Sequence, residues 1–93
     1  MPLIVQKAPA EIKDISINWT TRGLGNDTIE DSSWSVVPAG LTILDDPAPS
    51  NTTTTTTAWL SGGVAGQVYT VTNTITTVGG RTLQQEVTCF VYQ

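Results

Sequence analysis

The stretch Gln67-Val68-Tyr69-Thr70-Val71-Thr72-Asn73-Thr74-Ile75-Thr76-Thr77 decides the fold class. Its residues alternate with a period of two, the spacing of a strand with one dry and one wet side. Tyr69, Val71 and Ile75 share the dry side, with Asn73 among them, and Thr70, Thr72, Thr74 and Thr76 line the other. A second run, Thr82 to Tyr92, alternates in the same way, with Leu83, Val87, Cys89 and Val91 on one parity. Gly79-Gly80 turns the chain between them. A two-residue loop would pair Val78 with Arg81 and set Val71 against the outward Thr88. A three-residue loop, Val78-Gly79-Gly80, pairs Thr77 with Arg81 and brings Ile75 to Leu83, Val71 to Val87 and Tyr69 to Cys89. That register places apolar against apolar and is the one expected.

Working outward, the same period recurs. Leu3 to Lys7 reads as a short strand, held to an edge or a brief length by Pro2 and Pro9, with Ala8-Pro9-Ala10-Glu11 as the turn after it. Ile15, Ile17 and Trp19 alternate with Ser16, Asn18 and Thr20 as a half-buried strand. Arg22 to Thr28 is a Gly- and Asn-rich loop, and Trp34 and Val36 alternate with Ser33 and Ser35 beyond it. Pro38-Ala39-Gly40 is a turn, Leu41-Thr42-Ile43 a short strand, and Asp45 to Asn51 a proline-broken loop. The six-residue run Thr52 to Thr57 reads as strand, because Thr suits a pleated surface and the run continues into Ala58-Trp59-Leu60. Trp59 is expected inward or shared with the core. Ser61 to Gly66 is a turn region. The total is about seven strands with no useful helix, which is the pattern of an immunoglobulin-like antiparallel β-sandwich formed by a single domain over residues 1–93. Tyr69, near the start of the penultimate strand and after a Gly turn, fits the tyrosine-corner pattern, in which the phenol oxygen bonds back to the chain just upstream.

Composition narrows the function. The chain has 93 residues, 17 of them Thr, with a net charge of −4. Its four cations, Lys7, Lys13, Arg22 and Arg81, are spread along the chain, which excludes a phosphate-binding nucleic-acid surface. There is no His and one Cys, which removes His-based triads, Cys–His dyads, His-containing metal sites and any internal disulfide. The N-terminal residues lack a basic segment and a long apolar run, and no stretch reaches the ~20 apolar residues of a membrane span. A soluble chain made in a cytoplasm, without a membrane partner, is expected.

No chemical constellation emerges. Cys89 lies on the inward parity with Val87 and Val91, far in sequence from any cation, and reads as a buried structural thiol. Asp27, Glu30 and Asp31 gather in one loop and Asp45-Asp46 in another. They read as solvated acids, without the spacing of a calcium loop. Neither a catalytic residue, a metal ligand nor a cofactor is assigned. The register instead singles out a surface. The outward side of the last hairpin is mostly Thr, but it ends in Val68, Phe90 and Tyr92, an apolar and aromatic cluster. Either the N-terminal segment, with Leu3 and Val5, or a loop folds over it, or it is a partner-binding patch, since interfaces are enriched in Tyr and Phe. The Trp and Thr content leaves a carbohydrate- or cell-surface-binding module as the alternative class.

Several stretches carry a resemblance. They are Lys7-Ala8-Pro9-Ala10-Glu11, Asp14-Ile15-Ser16-Ile17-Asn18-Trp19, Gly25-Asn26-Asp27-Thr28-Ile29, Ser33-Trp34-Ser35-Val36 with Pro38-Ala39-Gly40-Leu41-Thr42, Trp59-Leu60-Ser61-Gly62-Gly63, and Tyr69-Thr70-Val71-Thr72-Asn73 running on to Gly80-Arg81-Thr82. In this order, and over most of its length, the chain resembles a family of small immunoglobulin-like proteins of tailed phages and prophages, sometimes labelled fibre–tail adaptors. Ala10 and Ile15 depart from the acid and the aromatic that this pattern leads one to expect. The resemblance implies a non-catalytic structural or accessory module of the virion, synthesised in the bacterial host cytoplasm. It would act by docking to other virion proteins or to itself, with weak glycan binding as a further possibility.

Overall fold

The hairpin formed by residues 68–91 is the spine of the protein. A computed structural model, described for residues 3–37, 39–45 and 48–92, has eight strands. They are β1 (Leu3–Lys7), β2 (Lys13–Asn18), β3 (Ile29–Val37), β4 (Leu41–Ile43), β5 (Ser50–Asn51), β6 (Thr55–Gly62), β7 (Val68–Thr77) and β8 (Thr82–Val91). Pro2, Pro38 and the Asp46-Pro47 part of the expected loop lie outside the described residues. β7 and β8 pair in the expected register, Tyr69 with Cys89, Val71 with Val87, Asn73 with Gln85 and Ile75 with Leu83. The Thr77 amide donates to the Arg81 carbonyl at 2.9 Å and the Gly80 amide to the Thr77 carbonyl at 3.0 Å, which closes the three-residue loop. Gly80 sits at φ +89°, the left-handed conformation this loop demands of its last residue.

Two sheets stack with their dry sides together. The first has the order β1-β8-β7-β3, and the second β2-β6-β4, with β5 also on β6. The all-β sandwich is thus as expected, with β3, β7 and β8 in one sheet and β2 and β6 in the other, as in an immunoglobulin-like arrangement. One pairing departs from a purely antiparallel plan. β1 runs parallel to β8, with Leu3 beside Val87 and Val5 beside Cys89. β1 and β2 belong to different sheets, so the connection over residues 8–12 crosses between sheets and imposes no hairpin.

The buried side chains of both sheets form one cluster, with Trp19, Tyr69, Ile17, Leu24, Leu60 and Ile75 among its largest members. Trp19 follows β2 and opens a 3-10 turn, Trp19–Thr21. The Asn18 carboxamide caps it by accepting from the Thr20 amide at 3.1 Å, so the strand stops one residue before the Trp, whose ring still points inward. A polar hub crosses this core. Asn73 Oδ1 accepts from Thr56 Oγ1 at 2.6 Å and Trp19 Nε1 at 3.2 Å, while Asn73 Nδ2 donates to Ser32 Oγ at 2.8 Å and the Ser33 carbonyl at 2.9 Å. These four bonds complete the side chain's capacity and join the turn after β2 to β3, β6 and β7.

The threonine run divides. Thr52 to Thr54 form a turn between β5 and β6, and the strand begins only at Thr55. The Thr52 hydroxyl accepts from the Thr55 amide at 3.0 Å and the Thr54 amide at 3.3 Å, and the Thr52 amide donates to the Thr55 carbonyl at 2.8 Å. A hydroxyl that captures nearby backbone amides competes with the ladder, and here it wins.

Candidate docking face

Strand alternation sets what the outer side of the first sheet carries. Across β7 and β8 it pairs Thr76 with Thr82, Thr74 with Gln84, Thr72 with Glu86, Thr70 with Thr88 and Val68 with Phe90. β1 adds Ile4 beside Thr88 and Gln6 beside Phe90. β3 adds Ser33, Ser35 and Val37, the last opposite Thr70. The face is therefore hydroxyl-rich over most of its length and apolar at one end.

At that end Val68 is 44% exposed, Phe90 37% and Tyr92 41%. The N-terminal segment does not fold over them. β1 lies alongside β8 in the same sheet, and Leu3 and Val5 turn inward and pack against the core. A strand that gains a ladder and buries two apolar side chains is better placed at the sheet edge than laid across its surface. β1 thereby enlarges the outer cluster, because its remaining apolar residue, Ile4, faces out at 71% exposure. Val37 on β3, at 67%, flanks the other side. Tyr92 is held by its amide, which donates to the Lys7 carbonyl at 3.1 Å, and its hydroxyl lies 3.4 Å from the Glu11 carboxylate. The Ala8 amide donates to that carboxylate at 2.6 Å and is the main cause of its lowered pKa.

Tyr69, Cys89 and the loop acids have structural surroundings. Tyr69 is buried, and its phenol oxygen accepts from the Val64 amide at 3.0 Å. Its ring occupies the space that a Cβ would need at Gly40, where the phenol oxygen would stand 2.7 Å away. Cys89 is fully buried, and desolvation pushes its thiol pKa up. Glu30 and Asp31 lie on β3 rather than in a loop, beside a bulge between Ile29 and Asp31. Asp27 does stay in its loop, where it is tied to the β7–β8 hairpin. It accepts from the Gly79 amide at 2.9 Å, from the Thr28 amide at 2.9 Å and from Arg81 Nε at 3.3 Å. Hydrogen bonding, led by the Thr77 hydroxyl, holds its pKa down at about 2. Among the described residues, no group of three or more His, Cys, Asp or Glu side chains is placed to hold a metal ion, and no helix is long and apolar enough to cross a membrane.

Two positions read differently in the structure. Trp59 does not enter the core. Thr56, Ala58 and Leu60 are buried, so alternation sends Trp59 to the outer side of the second sheet, half-buried and opposite Asp14. Trp34 is on the inner side of β3, so the outer faces carry no coplanar pair of Trp rings. Lys7 is fully buried. Its ammonium donates to the carbonyls of Gly62 at 2.6 Å and Ala8 at 2.8 Å. Its parity with Leu3 and Val5 was the available signal, but a lysine on the dry side of an edge strand is readable only once its carbonyl partners are in place.

These features define a small all-β sandwich of the immunoglobulin-like kind, whose distinctive surface is an open sheet face rather than a cleft. A family model described as podophage GP4 fiber-tail adaptor protein gp77 matches residues 7–90, and the chain belongs to that family. Family membership makes it a structural component of a phage virion. No curated protein matches the chain.

Proposed function

We propose that this protein is a docking subunit of the phage tail–fibre region that binds another virion protein through the apolar end of its first sheet, with Val68, Phe90 and Tyr92 at the centre of the contact. It works by presenting this surface and carries out no chemical step. The host cytoplasm is where it is made, before assembly into particles. Tyr69 acts behind the face as a structural strut, fastening the Val64 turn to β7. One observation carries the reading. Of the eight large apolar side chains exposed among the described residues, five (Ile4, Val37, Val68, Phe90 and Tyr92) stand on this one face. Clustered exposed apolar residues on a small protein mark an interaction site, and Tyr and Phe are the residues interfaces favour.

The test is the double variant Phe90→Ser/Tyr92→Ser. Both side chains are partly exposed, so the loss of burial costs about 2 kcal/mol, which leaves a domain of this size folded. The expected result is a folded protein that is absent from purified particles. Normal incorporation of the folded variant would refute the reading. Unfolding of the variant would also refute it, by making these residues core.

A further inference from the structure

The chemistry of the partner can be read from the charges around this face. On the outer side of the first sheet the charged side chains are Glu86, opposite Thr72, and Asp31, opposite Thr76. Glu11 stands at the Tyr92 end, 3.4 Å from the phenol. No Lys or Arg projects from this side among the described residues. The protein's four cations are turned to its own oxygen atoms elsewhere. Lys7 is buried among carbonyls, and Lys13 donates to the Gln6 carbonyl at 2.7 Å at the edge of β1. Arg22 donates to Gln85 Oε1 at 3.1 Å, and Arg81 to Asp27 Oδ2 at 3.3 Å and the Gly23 carbonyl at 2.8 Å. Lys13 thus lies at the rim, where its charge helps to lower the Glu11 pKa. The face itself is apolar at one end, with Glu11 beside that end, Glu86 part-way along the sheet and Asp31 towards the other end, on a protein of net charge −4.

We infer that the occupant of this face is a different protein whose contact surface has an apolar patch continued by Lys and Arg, and not a second copy of this chain. The inference rests on the docking reading above. Two copies meeting through this face would set its net negative charge against itself, since Lys13 lies close to Glu11 at the rim but, among the described residues, no Lys or Arg stands on the sheet with Glu86 and Asp31. Like charges at a rim suppress such an encounter, and a basic rim accelerates the right one.

The experiment uses purified particles assembled without this chain, to which the purified protein is added back. Binding is measured between about 50 and 500 mM NaCl, a range over which screening of exposed charges becomes strong. Wild type is compared with Glu86→Lys/Asp31→Lys and with Phe90→Ser/Tyr92→Ser, each checked for an unchanged fold by circular dichroism. We expect wild-type affinity to fall at least about tenfold across the salt range, and the charge-reversed variant to bind at least about tenfold more weakly at low salt. Binding that ignores salt and survives charge reversal, yet is lost in Phe90→Ser/Tyr92→Ser, keeps the docking face and overturns the basic partner. A wild-type dimer in sedimentation that Phe90→Ser/Tyr92→Ser abolishes makes a second copy the occupant and also overturns it. Normal binding by Phe90→Ser/Tyr92→Ser removes the docking face itself, which is a separate failure.

Discussion

Replacing Asn73 with Ala should be among the most damaging single changes in this protein, although the residue is polar. Asn73 is fully buried and satisfies partners on both sheets. Its removal leaves the buried Thr56 hydroxyl without the acceptor that lay 2.6 Å away, and leaves Trp19 Nε1 with only the 3.1 Å contact to Thr56 Oγ1. A stranded buried donor costs about 1–3 kcal/mol, and the other bonds about 0.5–1 kcal/mol each. Ser32 and the Ser33 carbonyl lie on an edge strand, where water offsets part of their loss. With the small cavity added, the total is about 3–5 kcal/mol. At about 0.05–0.15 kcal/mol per residue, a chain of this length holds about 5–14 kcal/mol. The variant should therefore melt at least about 12 °C lower, at roughly 4–8 °C per kcal/mol. Urea unfolding followed by Trp fluorescence and far-ultraviolet circular dichroism measures this. Thr72→Ala, one residue away on the wet side, is the control and should cost about 1 kcal/mol or less. If Asn73→Ala unfolds at the same urea concentration as that control, the hub does not hold the sheets together and the reasoning fails.

Three further outcomes are expected. Trp19→Ala removes a buried ring and should cost about 3–5 kcal/mol, leaving a poorly folded chain, so a melt within a few degrees of wild type would contradict its place in the core. The Cys89 thiol, buried and with its pKa raised, should react slowly with DTNB in the native protein and quickly in urea, and rapid native labelling would reopen a reactive role. Asp27 ionises more easily folded, at about 2, than its ordinary value of 3.8. Its stabilising contribution is thus present above about pH 4 and is lost as pH falls towards 2. Asp27→Asn should be less stable at neutral pH and show a flatter loss of urea midpoint between pH 4 and pH 2.5. An unchanged acid profile would mean that the tie to the hairpin does not matter.

Much of the fold was legible because strand parity is a local property. Residues 68–91 could be placed, register included, from alternation and from the one loop length that sets Val71 against Val87. The same rule places Phe90 and Val68 together on the wet side. Parity misled where a local competitor was strong. Thr52 has the same side chain as Thr56, yet one hydroxyl caps a turn and the other joins the core hub. Trp59, expected inward or shared with the core, lies outward because Ala58 and Leu60 occupy the dry side and alternation leaves it the other.

The all-β class, the pairing of the last hairpin, the inward thiol and the aromatic end of the outer face all follow from alternation along one or two strands. Tertiary structure alone decided whether that end is covered. The answer turns on where β1 goes, and β1 pairs with β8, some eighty residues away in the chain, through a parallel ladder that no turn announces. The Asn73 hub and the buried Lys7 have the same origin. A polar group on a dry side is favourable only when distant oxygen and nitrogen atoms meet it, and those partners come from strands that only the assembled sandwich brings together.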